Sequence, residues 1–188
     1  TIQCFLTHFG KLPINNEWDT NRSFKRSLKV KTLVIGHGHI GKLITSFLNN
    51  AQYEFDICDP YVDTLHRKLE EFDLKNYECV IIACSLNESS KEIINEHTLK
   101  MMSPTVTIIN PARGKLVNEA SLKEFLIHNP NAYAYLDVYE TEPAHFKDFS
   151  HIKNCYLSSH IAGVYDQIDD TIIDYEYRVI SDFLRLDN

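Results

Sequence analysis

Three segments in the second half of the chain carry polar side chains that could act together on a carbonyl group. They are INPARGKLVNE, which contains Arg113, DVYETE, which ends at Glu142, and SSHIAG, which contains His160. An arginine can bind a carboxylate and polarise a ketone, a histidine can transfer a proton, and a carboxylate can hold the imidazole in place. These three residues are the candidate catalytic residues, provided that the fold brings them together.

Each of the three residues also has an ordinary structural explanation when it is considered alone. Arg113 could form a surface ion pair, Glu142 could be a solvated charge before Pro143, and His160 could be a hydrogen-bonded histidine at a strand end. Because all three explanations would have to hold at once, we favour the interpretation that the residues share one site.

Six apolar runs of strand length indicate the elements that must position these residues. Several runs are nearly continuous rather than alternating, which is typical of strands covered on both faces. The runs are residues 30–35, 53–58, 79–84, 106–109, 132–138 and 155–157. Arg113, Glu142 and His160 follow the fourth, fifth and sixth runs, so a parallel sheet would bring them to one edge.

Helical patterns separate the predicted strands. Apolar residues at three- and four-residue spacing form the stripes Ile40, Leu43, Ile44, Phe47 and Leu48; Val62, Leu65, Leu69 and Phe72; and Leu122, Phe125 and Leu126. Asn118 is placed to cap the third helix. The alternation predicts an α/β fold, with a doubly wound parallel sheet in a three-layer α/β/α arrangement, in two halves of three strands each.

The stretch VIGHGHIG, residues 34–41, lies where the first strand passes into the first helix. In this G-x-G-x-x-G spacing, Gly36 permits a tight turn, Gly38 lets the backbone approach a pyrophosphate, and Gly41 lets helix and strand pack closely. The helix that begins near Ile40 presents N–H groups and a partial positive charge to the phosphates. The stretch predicts a dinucleotide-binding turn.

Asp59 follows the second strand, at the position where an acidic residue completes such a site. It is placed to accept hydrogen bonds from the adenosine ribose hydroxyls. Its charge, with Pro60 and Tyr61 rather than an arginine after it, favours NAD over NADP. A plainer alternative is an ordinary strand-to-helix turn, with Asp59 as a helix cap before Pro60.

His37 and His39 raise the alternative of a metal site in the same turn. They occupy the variable positions of the glycine pattern, and no third ligand is placed near them in sequence. We favour the phosphate-binding interpretation, in which no metal is expected and His39 lies near the phosphates.

The segments GHGHIG, CDPY, SLNESS, INPARGKLVNEASL, LDVYETEP and SSHIAG, in this order, resemble the NAD-binding domain of the D-isomer-specific 2-hydroxyacid dehydrogenases. The resemblance is phosphoglycerate dehydrogenase-like and covers about residues 28 to 185. It implies a Rossmann fold, NAD as the cofactor and reversible hydride transfer between NAD and a D-2-hydroxy acid or its 2-keto acid. The substrates that it implies include 3-phosphoglycerate, glycerate/hydroxypyruvate and lactate.

The resemblance also assigns roles to single residues. Arg113 corresponds to the substrate-binding arginine, His160 to the catalytic acid/base and Glu142 to the acid that partners the histidine. Glu140 is expected to be solvated, and Asp137 corresponds to the residue that contacts the nicotinamide carboxamide. The cofactor contacts implied are Gly36, Gly38, His39, Ile40, Gly41, Asp59, Ser85, Asn110, Ala112 and Asp137.

The predicted organisation is an N-terminal helix and linker over residues 1–28, a remnant of an inter-domain connection. The NAD-binding domain with a C-terminal closing helix follows over residues 29–188. The family's substrate domain has no counterpart in the sequence, so we expect this chain alone to bind NAD and turn over little. A non-catalytic, corepressor-like NAD-binding protein is the alternative, but such a module has no need of the arginine, glutamate and histidine together.

Charge and cysteine content bear on partners and location. The formal net charge of −7 opposes binding to nucleic acids or anionic membranes, which requires clustered Lys and Arg, and favours small-molecule or protein partners. The resemblance implies that the small molecule is a 2-hydroxy or 2-keto acid. The five cysteines are scattered without a C-x-x-C pair, which favours a reducing, cytoplasmic compartment. The resemblance further implies a homodimer joined through the NAD-binding domain.

Overall fold

The computed structural model describes residues 30–62 and 67–163, which form a six-stranded sheet with helices on both faces. All neighbouring strands are parallel. The strands are β1 (Thr32–Ile35), β2 (Phe55–Cys58), β3 (Cys79–Ile82), β4 (Thr107–Asn110), β5 (Tyr133–Leu136) and β6 (Cys155–Leu157). Their order in the sheet is β2-β1-β3-β4-β5-β6. The predicted α/β fold with a doubly wound parallel sheet is confirmed.

Helices and 3₁₀ turns connect these strands. The α-helices of the described residues are α1 (His39–Asn50), α2 (Glu96–Met101) and α3 (Glu119–His128), and the 3₁₀ turns are Leu69–Glu71, Leu74–Asn76, Gly114–Leu116 and Phe146–Phe149. Asn118 caps α3 as predicted, since its Oδ1 accepts a hydrogen bond from the Ser121 amide at 2.9 Å. Asn95 caps α2 in the same way, and this helix was not predicted from the sequence.

The two faces of the sheet carry separate apolar cores, because successive strand residues point to opposite sides. One core joins sheet residues such as Val80 to Leu99 of α2 and Leu122 of α3. The other joins sheet residues such as Ile81 to Leu48 of α1. The three-layer α/β/α arrangement follows from these two cores.

The predicted division into two halves of three strands is wrong, because the strand order reverses between β1 and β3, with two strands on one side of this point and four on the other. β3 pairs with β1 on the side opposite β2, with Leu33 aligned to Val80 and to Asp56. The burial of the strands explains this order, because every residue of β3 is buried and suits the centre of the sheet, whereas β2 is half-buried and suits its edge. The order reverses between β1 and β3, and such a switch point leaves a crevice at the carboxyl ends of the strands.

The buried face of α1 differs from the predicted stripe. Its buried residues include Ile44 and Leu48, whereas Ile40 and Leu43 are 51% and 54% exposed. The close packing of Gly41 turns the helix so that positions three, four and seven residues later face the sheet. Ile40 and Leu43 therefore lie on its flank.

The second predicted stripe is only partly helical. Leu69 and Phe72 are buried as expected, but Leu69–Glu71 is a 3₁₀ turn rather than part of an α-helix. Lys68 before it is extended, and its amide donates to Oε1 of Glu71 at 2.8 Å, so the turn begins anew at this point. Leu65, the N-terminal segment 1–28 and the closing helix predicted from residue 166 onward lie outside the described residues.

The turn between β1 and α1 requires glycine at two of its three glycine positions, because a larger side chain there would clash with the backbone. Gly36 has φ of 96°, and a Cβ there would lie 2.5 Å from the Cys84 amide nitrogen. A Cβ on Gly41 would lie 2.1 Å from the Gly36 carbonyl oxygen, whereas one on Gly38 would meet nothing within 4 Å. The fold therefore requires glycine at positions 36 and 41, and Gly38 faces open space.

The substitutions Gly41→Ala and Gly38→Ala form a matched pair that tests this account. We expect Gly41→Ala to lower the free energy of unfolding by about 1–3 kcal/mol, because its methyl group overlaps backbone atoms that cannot rotate away. Gly38→Ala should change it by less than about 1 kcal/mol, since no atom opposes the methyl group. Urea unfolding of the chain measures both values, and equal losses would contradict the steric explanation.

Candidate functional site

A cavity of about 660 Å³ opens at the carboxyl ends of β1, β2 and β3, at the switch point of the sheet. The glycine turn forms one wall through Gly36 and Gly38, and Asp59 and Tyr61 form another. The loop after β3 completes the lining and includes Ser85. The structure thus brings the predicted dinucleotide turn and the acidic residue after β2 to one cavity.

The Asp59 carboxylate orders the backbone on both sides of this cavity. Oδ2 accepts a hydrogen bond from the His37 amide at 2.7 Å, and Oδ1 accepts one from the Tyr61 amide at 2.9 Å. The bond to Tyr61 resembles the cap that the plainer alternative predicted. Each carboxylate oxygen has two acceptor positions, so Asp59 keeps capacity for a ligand hydroxyl.

The two histidines of the turn have different surroundings. The His37 ring lies 3.2 Å from Oγ1 of Thr45 in α1, which places it against the helix. His39 is the exposed first residue of α1, next to the exposed Ile40. Gly38 occupies the N-cap position and no side chain caps the helix, so the first amides of α1 remain suited to an anion. In residues 30–62 and 67–163, no group of three or more His, Cys, Asp or Glu is placed to hold a metal.

The loop after β3 is shaped by its own side chains. Oδ1 of Asn87 accepts hydrogen bonds from the amides of Ser89 and Ser90. Oγ of Ser90 donates to the Ser85 carbonyl at 2.7 Å. Ser85 is exposed at the cavity, so its hydroxyl is available there.

The loop after β4 presents Arg113. Asn110 is buried, and its side chain accepts from the Ala112 amide at 3.1 Å and donates to the Arg113 carbonyl at 3.0 Å. The Asn110 side chain therefore shapes the loop. Arg113 is exposed, Nη1 donates to the Ala112 carbonyl at 2.6 Å, and the guanidinium forms no ion pair with any described residue.

Asp137, just after β5, is 6% exposed and anchors the segment that carries His160. Oδ1 accepts hydrogen bonds from the Ser158 hydroxyl and the Ile161 amide, and Oδ2 accepts one from the Ala162 amide. Burial alone would raise the pKa of this carboxyl, but these hydrogen bonds, together with the nearby His160, hold the pKa below its ordinary value.

Glu142 and His160 form a direct pair, with 2.8 Å between Oε2 and Nδ1. A hydrogen bond from His160, and a second one from the Tyr139 amide to Oε1, lower the pKa of Glu142. An ionised carboxylate can only accept, so Nδ1 carries the proton and donates it to this hydrogen bond. The other ring nitrogen, Nε2, is left to exchange a proton with a ligand.

Backbone contacts link Arg113 to this pair. A Cβ on Gly114 would lie 1.8 Å from the Tyr139 carbonyl carbon, so the loop after β4 packs directly on the loop after β5. The Tyr139 amide in turn holds Glu142, which holds His160. The structure brings the arginine, the glutamate and the histidine to the same edge of the sheet.

Two residues of this edge were misjudged or missed from the sequence. Glu140, expected to be solvated, is half-buried, and its Oε1 accepts a hydrogen bond from the Glu119 amide at 2.7 Å. The Glu140 amide donates to Oε1 of Glu119 at 2.6 Å, so the two residues bind each other at the start of α3. Tyr139 was not among the predicted site residues, although an aromatic residue followed by Phe146 and Phe149 in a polar segment indicates an aromatic cluster.

No helix of the described residues combines the length and apolar content that crossing a bilayer requires.

Comparison with known sequences identifies the family. The family model described as D-isomer specific 2-hydroxyacid dehydrogenase, NAD binding domain, matches residues 10–162. The glyoxylate reductase of Pyrococcus furiosus is 32% identical over 138 residues, and that of Thermococcus gammatolerans is 38% identical over 138 residues. Each alignment covers 69% of this chain and 41% of the relative, so the chain spans less than half the length of these curated relatives.

Solved structures share the fold. D-2-hydroxyisocaproate dehydrogenase matches with a TM-score of 0.70 at 22% identity, over 89% of this chain and 57% of that one. The D-lactate dehydrogenase with NAD+ from Lactobacillus jensenii matches with a TM-score of 0.68 at 23% identity, over 79% of this chain and 50% of that one. NAD is the cofactor of the matched domain family. The chain belongs to the D-isomer-specific 2-hydroxyacid dehydrogenases and corresponds to their NAD-binding domain.

Proposed function

We propose that the chain is the cofactor-binding half of an enzyme that transfers a hydride between NAD and a short D-2-hydroxy acid or its 2-keto acid. The observation that carries the proposal is the 2.8 Å contact between Glu142 and His160, at the sheet edge that also presents Arg113. The glyoxylate reductases among the relatives support a small 2-keto acid such as glyoxylate as the substrate. A pure NAD-binding regulator would not need this pair.

The cavity beside the glycine turn fits the adenosine and pyrophosphate part of NAD. Gly38 faces open space, so a phosphate can approach the backbone and the uncapped first turn of α1, near His39 and Ile40. Asp59 borders the cavity and keeps acceptor positions for ribose hydroxyls. These residues would hold NAD, and the chemistry that the bound cofactor would supply is reversible hydride transfer with a 2-hydroxy acid or its 2-keto acid.

His160 is the proposed acid/base. Because Nδ1 donates to Glu142, Nε2 is the atom that takes the proton from the substrate hydroxyl during oxidation and returns it during reduction. Glu142 holds the ring in this tautomer and compensates the charge of the imidazolium that forms. Both functions require an ionised Glu142, which its lowered pKa favours at neutral pH.

Arg113 is the proposed substrate-binding residue. Its exposed guanidinium makes one hydrogen bond, to the carbonyl of the neighbouring Ala112, among the described residues. A carboxylate can therefore bind it through two parallel hydrogen bonds, with the adjacent carbonyl oxygen directed towards the same cation.

The remaining predicted cofactor contacts divide into two kinds. Ser85 is exposed at the cavity and is proposed to contact the cofactor directly. Asn110 and Ala112 shape the loop that presents Arg113, so we propose a positioning role for them. Asp137 anchors the His160 segment and keeps one acceptor position on Oδ2, where the nicotinamide carboxamide could donate.

The cellular location and the assembly stay predictions. The cysteines at 58, 79, 84 and 155, the four within the described residues, all carry free thiols, which supports a reducing compartment such as the cytoplasm. A homodimer through this domain is implied by the family resemblance.

The substitution His160→Ala tests the proposed function. We expect turnover of glyoxylate with NADH by the whole protein to fall by about 10²- to 10⁴-fold, because general acid/base catalysis is lost. NAD affinity should stay within about twofold, since His160 lies away from the adenosine cavity. His97→Ala, an exposed histidine of α2, serves as the matched control. An unchanged rate in His160→Ala would exclude the proposed role.

The substitution Asp59→Asn tests the cofactor preference. Removing the charge should weaken NAD binding roughly tenfold, the loss expected for a charged hydrogen-bonding group, and should weaken NADP binding less because repulsion of its 2'-phosphate also disappears. Calorimetric titration of both nucleotides measures the ratio, with the exposed Asp73→Asn as the control. A parallel loss for both nucleotides would argue against a ribose contact.

The substitution Asp137→Asn tests the anchor of the His160 segment through pH. Since the pKa of Asp137 is lowered in the folded protein, its stabilising effect is present above the unfolded-state pKa of about 3.9 and is lost as pH falls through the folded-state pKa. We expect Asp137→Asn to cost about 1–3 kcal/mol at pH 7 and progressively less below about pH 4. Urea unfolding across this range would show a pH-independent difference if the carboxylate charge were irrelevant.

A further inference from the structure

Tyr139 contacts the loops after β4 and β6 and belongs to the loop after β5, so it touches all three loops that carry the proposed catalytic residues. Its side chain is buried, at 6% exposure, in an otherwise polar segment. The ring packs at centroid distances of 5.4 Å on Phe146 and 6.1 Å on Phe149. Its carbonyl group lies against Gly114, the residue after Arg113. These contacts fix the Tyr139 backbone and ring independently of its hydroxyl group.

The Tyr139 hydroxyl is directed at the segment that leads to His160. Its oxygen lies 2.7 Å from the Ser158 carbonyl and 3.1 Å from the Leu136 carbonyl. A phenol has one proton and both neighbours are acceptors, so the shorter contact marks the main hydrogen bond, to Ser158. The Leu136 carbonyl already accepts from the Ser158 amide at 2.9 Å. Tyr139 therefore completes the hold on Ser158, two residues before His160.

The Tyr139 amide acts on the other member of the pair. It donates to Oε1 of Glu142 at 3.0 Å and leaves Oε2 for Nδ1 of His160. One residue thus fixes the carboxylate through its main chain and the imidazole segment through its side chain. No other described residue bonds to both Glu142 and the Ser158 backbone.

His160 needs such support because its backbone is in an uncommon conformation. Its φ of 56° lies in the left-handed region, which non-glycine residues adopt only when the surrounding structure enforces it. The His160 amide donates to the Asp137 carbonyl at 2.8 Å, and the Ser158 contacts fix the chain just before it. Removal of the Tyr139 hydroxyl would leave the Ser158 carbonyl without this donor, and the chain just before His160 would be fixed less firmly.

We propose that Tyr139 is a positioning residue whose hydroxyl sets the alignment of His160 with Glu142. The proposal rests on the proposed function, in which that pair transfers the proton. The hydroxyl touches neither substrate nor cofactor in this account and acts through the Ser158 carbonyl.

The substitution Tyr139→Phe removes one oxygen atom and keeps the ring that packs on Phe146 and Phe149. We expect kcat of the whole protein to fall about three- to tenfold, the effect of one lost hydrogen bond, with KM for NAD unchanged. The carboxyl titration of Glu142, followed by carbon NMR, should shift upward towards its ordinary value, because the hydrogen bond from His160 weakens. Tyr156→Phe is the matched control, since Tyr156 is an exposed tyrosine of β6.

The outcomes separate positioning from a merely structural role. A lower melting temperature with unchanged kcat and an unchanged Glu142 titration would overturn the proposal. A Tyr139→Phe protein that does not fold would also overturn it, because the hydroxyl would then serve the fold rather than the pair. If His160→Ala leaves turnover unchanged while Tyr139→Phe still shifts the Glu142 titration, the proposed function fails and the positioning role stands.

Discussion

The parallel register between β5 and β6 is the constraint on which the site depends. Leu136 pairs with Leu157, and the ladder continues beyond the strands because the His160 amide donates to the Asp137 carbonyl at 2.8 Å. A slip of one residue would turn every following side chain to the other face of the sheet and would separate His160 from Glu142. The backbone pairing of two short strands therefore fixes the geometry of a side-chain pair 18 residues apart in sequence.

Burial of polar groups then converts this register into a preorganised site. Asp137 would be costly to bury as an unpaired charge, but three hydrogen bonds satisfy it, and all three donors lie in the segment 158–162. Tyr139 satisfies the Ser158 carbonyl in the same segment. The donors that satisfy Asp137 lie in the segment that carries His160, so the folding that buries Asp137 also positions His160 before any ligand binds.

Helices and strands could be predicted from the sequence more reliably than the order in which the strands lie side by side. Apolar runs and glycine spacing report burial and local backbone geometry, so the strands, the start of α1 and the cap at Asn118 were predictable. The strand order was not, because an apolar run carries no information about which edge it pairs with. The contacts of Glu140 and Tyr139 were not predicted, because their partners, Glu119 and Ser158, lie 21 and 19 residues away in sequence. Only the tertiary structure brings these residues together.

The contrast between His160 and Arg113 bears on what the site can bind. A hydrogen bond with Glu142 fixes the imidazole, and a second one to the Asp137 carbonyl fixes the main chain of His160. Among the described residues, the guanidinium has a hydrogen bond only to its neighbour Ala112. In the proposed reaction the cation gains its orientation from the substrate carboxylate, and the two parallel hydrogen bonds then place the adjacent carbon relative to Nε2. A ketone without a carboxylate would leave Arg113 unoriented and would itself be poorly aligned with the imidazole. The proposed reaction would therefore favour 2-keto acids over simple ketones, because the imidazole is held by the protein whereas the guanidinium is oriented only by a substrate carboxylate.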